Sequence, residues 1–156
     1  VDITIPSTEL AHRFQKVAVT PEQVASLVAG APELARVGPE VSLFEAGDGT
    51  YLRRSGAAHE DFVFTSQPVV WSPKEDVKVL VVSGHGKENS FVAAWRQTEG
   101  GFRLESAFVM MSELSPVALA YRKREPDLYW TACWQCPGQG GHVSLRDDGR
   151  IVIVQD

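Results

Sequence analysis

The sequence is poor in the groups from which chemistry is most often built. Its 156 residues include 2 cysteines, 2 methionines and 4 histidines. The cysteines stand together as Cys133-Trp134-Gln135-Cys136, and no second Cys-x-x-Cys accompanies them. That excludes a zinc site built from four cysteines. There is no Gly-x-Ser-x-Gly nucleophile elbow. There is no Asp-x-Asp-x-Asp-Gly calcium loop. No apolar run approaches the roughly 20 residues of a membrane-spanning helix. Positive charge is scarce as well: 15 Lys and Arg stand against 20 Asp and Glu, a net charge of −5. The densest basic run, Arg122-Lys123-Arg124, is followed at once by Glu125 and reads as a solvated turn. An acidic chain without a basic stripe is not built for nucleic acid or an anionic membrane. Neither a cofactor nor a resident metal is expected.

The sequence does have short apolar runs rich in Val, Phe, Trp and Tyr, separated by Gly, Pro, Asp and Asn. That is the grammar of strands and turns. One series holds Val69-Val70-Trp71, Val79-Leu80-Val81-Val82, Phe91 to Trp95 and Phe102-Arg103-Leu104. A second holds Val117-Ala118-Leu119, Leu128 to Trp134, His142 to Leu145 and Ile151-Val152-Ile153. The two series are related by an offset of 51 residues, which places Val92 on Val143 and His85 on Cys136. Four strands in about 50 residues is the size of a propeller blade. The chain carries neither the Gly-His…Trp-Asp signature of WD40 repeats nor the double glycine with spaced Tyr and Trp of kelch repeats. Residues 41–54, with Gly47-Asp48-Gly49 as a turn, resemble half of a third unit. Two and a half blades cannot close a ring. An open stack, a ring completed by several copies of the chain, and a sandwich are the arrangements left. The runs Val79 to Val82 and Leu128 to Trp134 are apolar on both strand faces, which predicts cover on both sides. Gly100-Gly101 and Asp147-Asp148-Gly149 supply hairpin turns.

The first forty residues read differently. Thr20 fits an N-cap, Pro21 the first helical position, and Gln23 completes a capping box. Val24, Leu27 and Val28 form an apolar face, and Gly30 fits the C-terminal cap. Pro32 to Arg36 adds a short turn ending at Gly38. An earlier helix is expected to carry Leu10, Phe14 and Val17, capped by Ser7 or Thr8. These helices are expected to cover an open edge or face of the sheet. The chain begins at Val1 rather than Met, so a removed leader or a longer N-terminal region is expected.

Three readings compete for Cys133 and Cys136. A redox pair needs a helix N-terminus to lower a thiol pKa, and Pro137-Gly138-Gln139-Gly140-Gly141 starts no helix. A zinc site would need His142, and His85 as a fourth ligand. A disulfide needs a turn across Trp134-Gln135, because residues three apart along an extended strand are about 10 Å apart. The Pro-Gly that follows favours the turn, and the bridge would imply an oxidising compartment.

The glycine-rich segment Ser83-Gly84-His85-Gly86-Lys87-Glu88-Asn89 interrupts two apolar strands, as Trp134 to Gly141 does in the second series. Loops at one end of a β scaffold are where sites form. Ser83, His85, Lys87, Glu88, Trp134 and Gln139 are therefore the candidate binding residues, with Cys133 and Cys136 as a disulfide. Trp134 is the candidate anchor; Trp71, Trp95 and Trp130 read as packing. His59-Glu60-Asp61 reads as a solvated loop and His12 as surface.

The sequence thus predicts a single, mainly β domain over 1–156: a helical segment to residue 40, then antiparallel four-stranded blade-like meanders at 68–110 and 116–156. It predicts an exported protein, periplasmic or secreted. Its function would be non-enzymatic binding of a protein partner through rim loops, as an inhibitor or immunity-type protein does. The alternative is a small hydrolase using His85 with Ser83 or His142.

Overall fold

The computed structural model describes residues 14–16, 20–37, 42–43, 52–53, 62–65, 68–86, 89–111, 117–122, 127–131 and 140–156. The strands are β1 (Phe14–Lys16), β2 (Ser42–Leu43), β3 (Leu52–Arg53), β4 (Phe62–Thr65), β5 (Val69–Lys74), β6 (Val77–His85), β7 (Asn89–Thr98), β8 (Gly101–Met111), β9 (Ala118–Arg122), β10 (Leu128–Thr131), β11 (Gly140–Leu145) and β12 (Ile151–Gln155). Helix α1 spans Pro21–Ala29, and a 3₁₀ helix follows at Pro32–Val37.

The strands form two antiparallel sheets. Sheet A runs β1-β5-β6-β7-β8, with β2 paired to the end of β6. Sheet B runs β12-β11-β10-β9-β4-β3. Each contains a meander of four consecutive strands, β5 to β8 and β9 to β12. The sheets face each other across one core. Val79, Val81, Val92 and Ala94 of sheet A meet Leu119, Leu128, Trp130 and Val143 of sheet B. The other face of sheet A is buried too. Leu80, Val82, Phe91, Ala93 and Trp95 pack with Val24 and Val28 of α1 and with Leu34 and Val37 of the 3₁₀ helix. The order of layers is helices, sheet A, sheet B, and of the propeller-like stack and the sandwich it is the sandwich that describes two sheets sharing one core.

Helix α1 follows its sequence signals. The Thr20 hydroxyl accepts from the Gln23 backbone N–H at 3.2 Å, and the Gln23 side chain accepts from the Thr20 N–H at 2.8 Å. Gly30 is the C-cap but keeps a right-handed φ of −82°, so the left-handed cap that favours glycine is not used there. Gly101 and Gly149 do take positive φ, +140° and +87°.

Four expectations change. Phe14 is in a strand and not in a helix. Strand β1 completes the edge of β5, and the Phe14 ring stacks on Tyr121 of sheet B at 4.4 Å. An aromatic side chain that closes the core outweighs a weak local helical pattern. Residues 42–43 and 52–53 are not paired with each other: β2 pairs with β6 in sheet A and β3 with β4 in sheet B. Strand β10 is less deeply covered on its outer face: Leu128 and Trp130 are buried while Tyr129 and Thr131 are half-buried. Lastly, the meanders share a strand order but not a register. Val92 stands opposite Ser83. An offset of 51 would place Trp134 opposite Val143, yet Leu128 stands there. The stretch between β10 and β11 is longer than that between β6 and β7, so no constant offset survives the ladder.

Candidate functional site

Two contacts between the sheets fix which hairpins share an end. Arg96, late in β7, donates from Nη2 to the Gly149 carbonyl in the turn between β11 and β12. The turn joining β7 to β8 and the turn joining β11 to β12 therefore lie at one end, the turn end. Phe108, towards the other end of β8, packs on Trp130 near the close of β10, with ring centroids 5.2 Å apart. The strand ends leading into residues 86–88 and 132–139 thus lie together at the opposite end, the loop end.

At the loop end, Ser83 and His85 alternate with Gly84 on β6 and face sheet B, as Val79 and Val81 do. Ser83 is 3 % exposed. Its hydroxyl has no hydrogen-bond partner, so no Ser83–His85 bond of the kind a nucleophile needs exists here. His85 is half-buried, with Nδ1 3.4 Å from the Gly86 carbonyl oxygen. Ser90, opposite His85 on β7, is 0 % exposed and its hydroxyl is also unpaired. Sequence reasoning missed Ser90. The available signal was its place two residues before Val92, on the core side of the strand. Lys87, Glu88, Cys133, Trp134, Cys136 and Gln139 lie outside the described residues, as do His12 and His59.

Glycines make this end compact. The indole N–H of Trp130 donates to the Val154 carbonyl at 3.2 Å, crossing β11 at Gly141. A Cβ on Gly141 would stand 1.7 Å from that carbonyl oxygen and 2.9 Å from the Trp130 ring. A Cβ on Gly86 would meet the Val37 carbonyl oxygen at 2.1 Å, where the 3₁₀ helix closes over β6.

His142 is on the outer face of sheet B, with Nδ1 3.0 Å from Asp156 Oδ1. Sheet B therefore stands between His142 and His85. The two imidazoles do not converge, which separates the ligands a shared zinc would need and the histidines of a joint catalytic pair. Among the described residues, no three His, Cys, Asp or Glu side chains gather to hold a metal.

The turn end is built from ions. The bulge between Ala94 and Trp95 leaves Glu105 without an opposite number. Its carboxylate is ion-paired with Arg96 Nε, too bent for an aligned hydrogen bond, and lies 3.4 Å from Arg103 Nη2. Midway along β8 and β12, the Ser106 hydroxyl accepts from the Ile153 N–H at 3.2 Å, joining the edges of the two sheets. Asp148 accepts from the backbone N–H of Arg150 at 3.1 Å and from its Nε at 2.8 Å. Those bonds, the backbone one first, hold the Asp148 carboxyl below the usual carboxylate range.

Compared with protein-family models, curated proteins and solved structures, the chain matches none.

Proposed function

We propose that the protein is a non-enzymatic binding module that holds a protein partner at the loop end. The observation that supports this reading is the convergence of the β6–β7 and β10–β11 strand ends at one end of the sandwich. The first connection is Gly86-Lys87-Glu88 and the second, Ala132 to Gln139, runs into Gly140-Gly141; loops carried at one end of a scaffold are a common recognition design. Trp134 is the proposed anchor, with His85 and Gln139 as contacts and Lys87 and Glu88 as rim charges. Tryptophan is enriched among the residues that carry most of an interface's binding energy. An inhibitor or immunity-type protein acts in this way. Export to an oxidising compartment belongs to the same proposal, with Cys133 and Cys136 bridged across a turn. Free-thiol titration of the denatured, unreduced protein then finds about none, whereas two reactive thiols reject the bridge.

The test of function is a photo-cross-linking residue placed at Gln139 and, in a second variant, at Asp147. The loop-end variant is expected to capture one defined protein and the turn-end variant none. Capture of that protein from Asp147 alone would place recognition at the wrong end.

A further inference from the structure

The two unpaired hydroxyls at the loop end bear on how the sandwich opens. Ser83 and Ser90 are both more than nine-tenths buried on the core side of sheet A, and neither has a hydrogen-bond partner. They are diagonal neighbours across β6 and β7, because Ser83 pairs with Val92 and Ser90 with His85. His85 carries the same polar row outward to a half-buried position. A hydroxyl removed from water and left unbonded favours any state that returns it to water. Two such groups side by side bias this half of the sheet in that direction. The facing contact here is apolar, Phe108 against Trp130. The other half has one atom without an aligned hydrogen bond, Arg96 Nε, and that one is ion-paired with Glu105. Its inward-facing positions are Val79, Val81 and Ala94, and the cross-sheet bond from Arg96 to Gly149 ties it down, with the Ile153–Ser106 bond at mid-strand.

We infer that the sandwich opens from the loop end, with the turn end as its hinge, and that opening presents Ser83, His85 and Ser90 to the partner. Local opening of this kind, below the free energy of global unfolding, is a general property of folded chains. The second half of the inference rests on the binding function proposed above; the opening itself does not. Recognition would then use hydroxyl and imidazole groups hidden in the closed protein, and a partner with hydrogen-bonding side chains would satisfy them.

Amide hydrogen exchange, resolved by NMR on the whole chain without any partner, tests the opening. Hydrogen-bonded amides of 82–85 and 90–92 are expected to exchange at least tenfold faster than those of 79–81 and 94–96. The double variant S83A/S90A, which removes both unpaired groups without enlarging either side chain, is expected to slow the first set by tenfold or more relative to the second. Equal protection of the two halves would overturn the inference, as would a double variant that slows both sets alike. Either result would leave the cross-linking outcome untouched, so the two readings fail separately.

Discussion

At the turn end a charged group joins the sheets: Arg96, ion-paired with Glu105 in its own sheet, reaches across to the Gly149 carbonyl. At the loop end, aromatic packing of Phe108 on Trp130 joins them, Gly141 lets the strands of sheet B approach closely, and two hydroxyls stay unbonded. One sandwich thus has an end held by a directional cross-sheet bond and an end held by aromatic packing and partly unsatisfied. Directional bonds fix register, whereas non-directional packing leaves a surface free to diverge in loop length and content. The difference is a reason to look for recognition at the loop end and for rigidity at the turn end.

Gly141→Ala should show the largest effect, because the added methyl meets both the Val154 carbonyl oxygen and the Trp130 ring. A loss of about 3 kcal/mol or more in urea-induced unfolding is expected for such overpacking. A loss within about 0.5 kcal/mol, the range of ordinary surface changes, would mean that the loop end is loosely packed. Arg96→Ala comes next. It removes the cross-sheet bond to Gly149 and the Glu105 ion pair, whose side chains are 22 % and 15 % exposed. Charged hydrogen bonds of this kind contribute about 2 kcal/mol. A near-neutral result would deny that the turn end is fixed by its ions. Gly149→Ala, at φ +87° with open space around it, should cost about 1 kcal/mol from backbone conformation alone.

The acid limb of stability carries the smallest effect. The Asp148 carboxyl titrates lower in the folded chain than its ordinary value because Arg150 bonds the charged form. Such a group adds stability that is fully present above its unfolded pKa and is lost as pH falls through its folded pKa. Asp148→Asn should therefore flatten the acid limb slightly and leave stability near neutral pH a little lower. Unfolding midpoints measured from neutral pH down into the acid range check this. The group is exposed, so a large change would point to another carboxylate.

Local signals were legible in the sequence and long-range ones were not. Thr20, Pro21 and Gln23 act within one turn of helix, so their pattern alone places the start of α1. Gly101 and Gly149 mark hairpin turns for the same reason. The doubly buried run Val79 to Val82 reads correctly because four consecutive apolar residues need cover on both faces. Of the run Leu128 to Trp134, the described part Leu128 to Thr131 is less clear, since the amphipathic Tyr129 stands half-buried on the outer face. The pairing of Phe14 with β5 depends on an edge more than fifty residues away, and no local pattern reports it. At the loop end, Ser83 and His85 are readable as an unusual polar interruption, but the burial of Ser83 and the role of Ser90 follow only from the facing sheet.

The central claim is that the partner is held at the loop end and not at the turn end. The direct measurement is the affinity of the cross-linked partner, once purified, for the wild type, for Trp134→Ala and for a turn-end variant, Asp147→Ala. Trp134→Ala should weaken binding roughly 30-fold, the equivalent of about 2 kcal/mol for an anchoring aromatic, with an unchanged unfolding midpoint. Asp147→Ala should bind within about twofold of the wild type, as expected for a residue outside the interface. Weakened binding by Asp147→Ala alongside wild-type binding by Trp134→Ala would contradict the account.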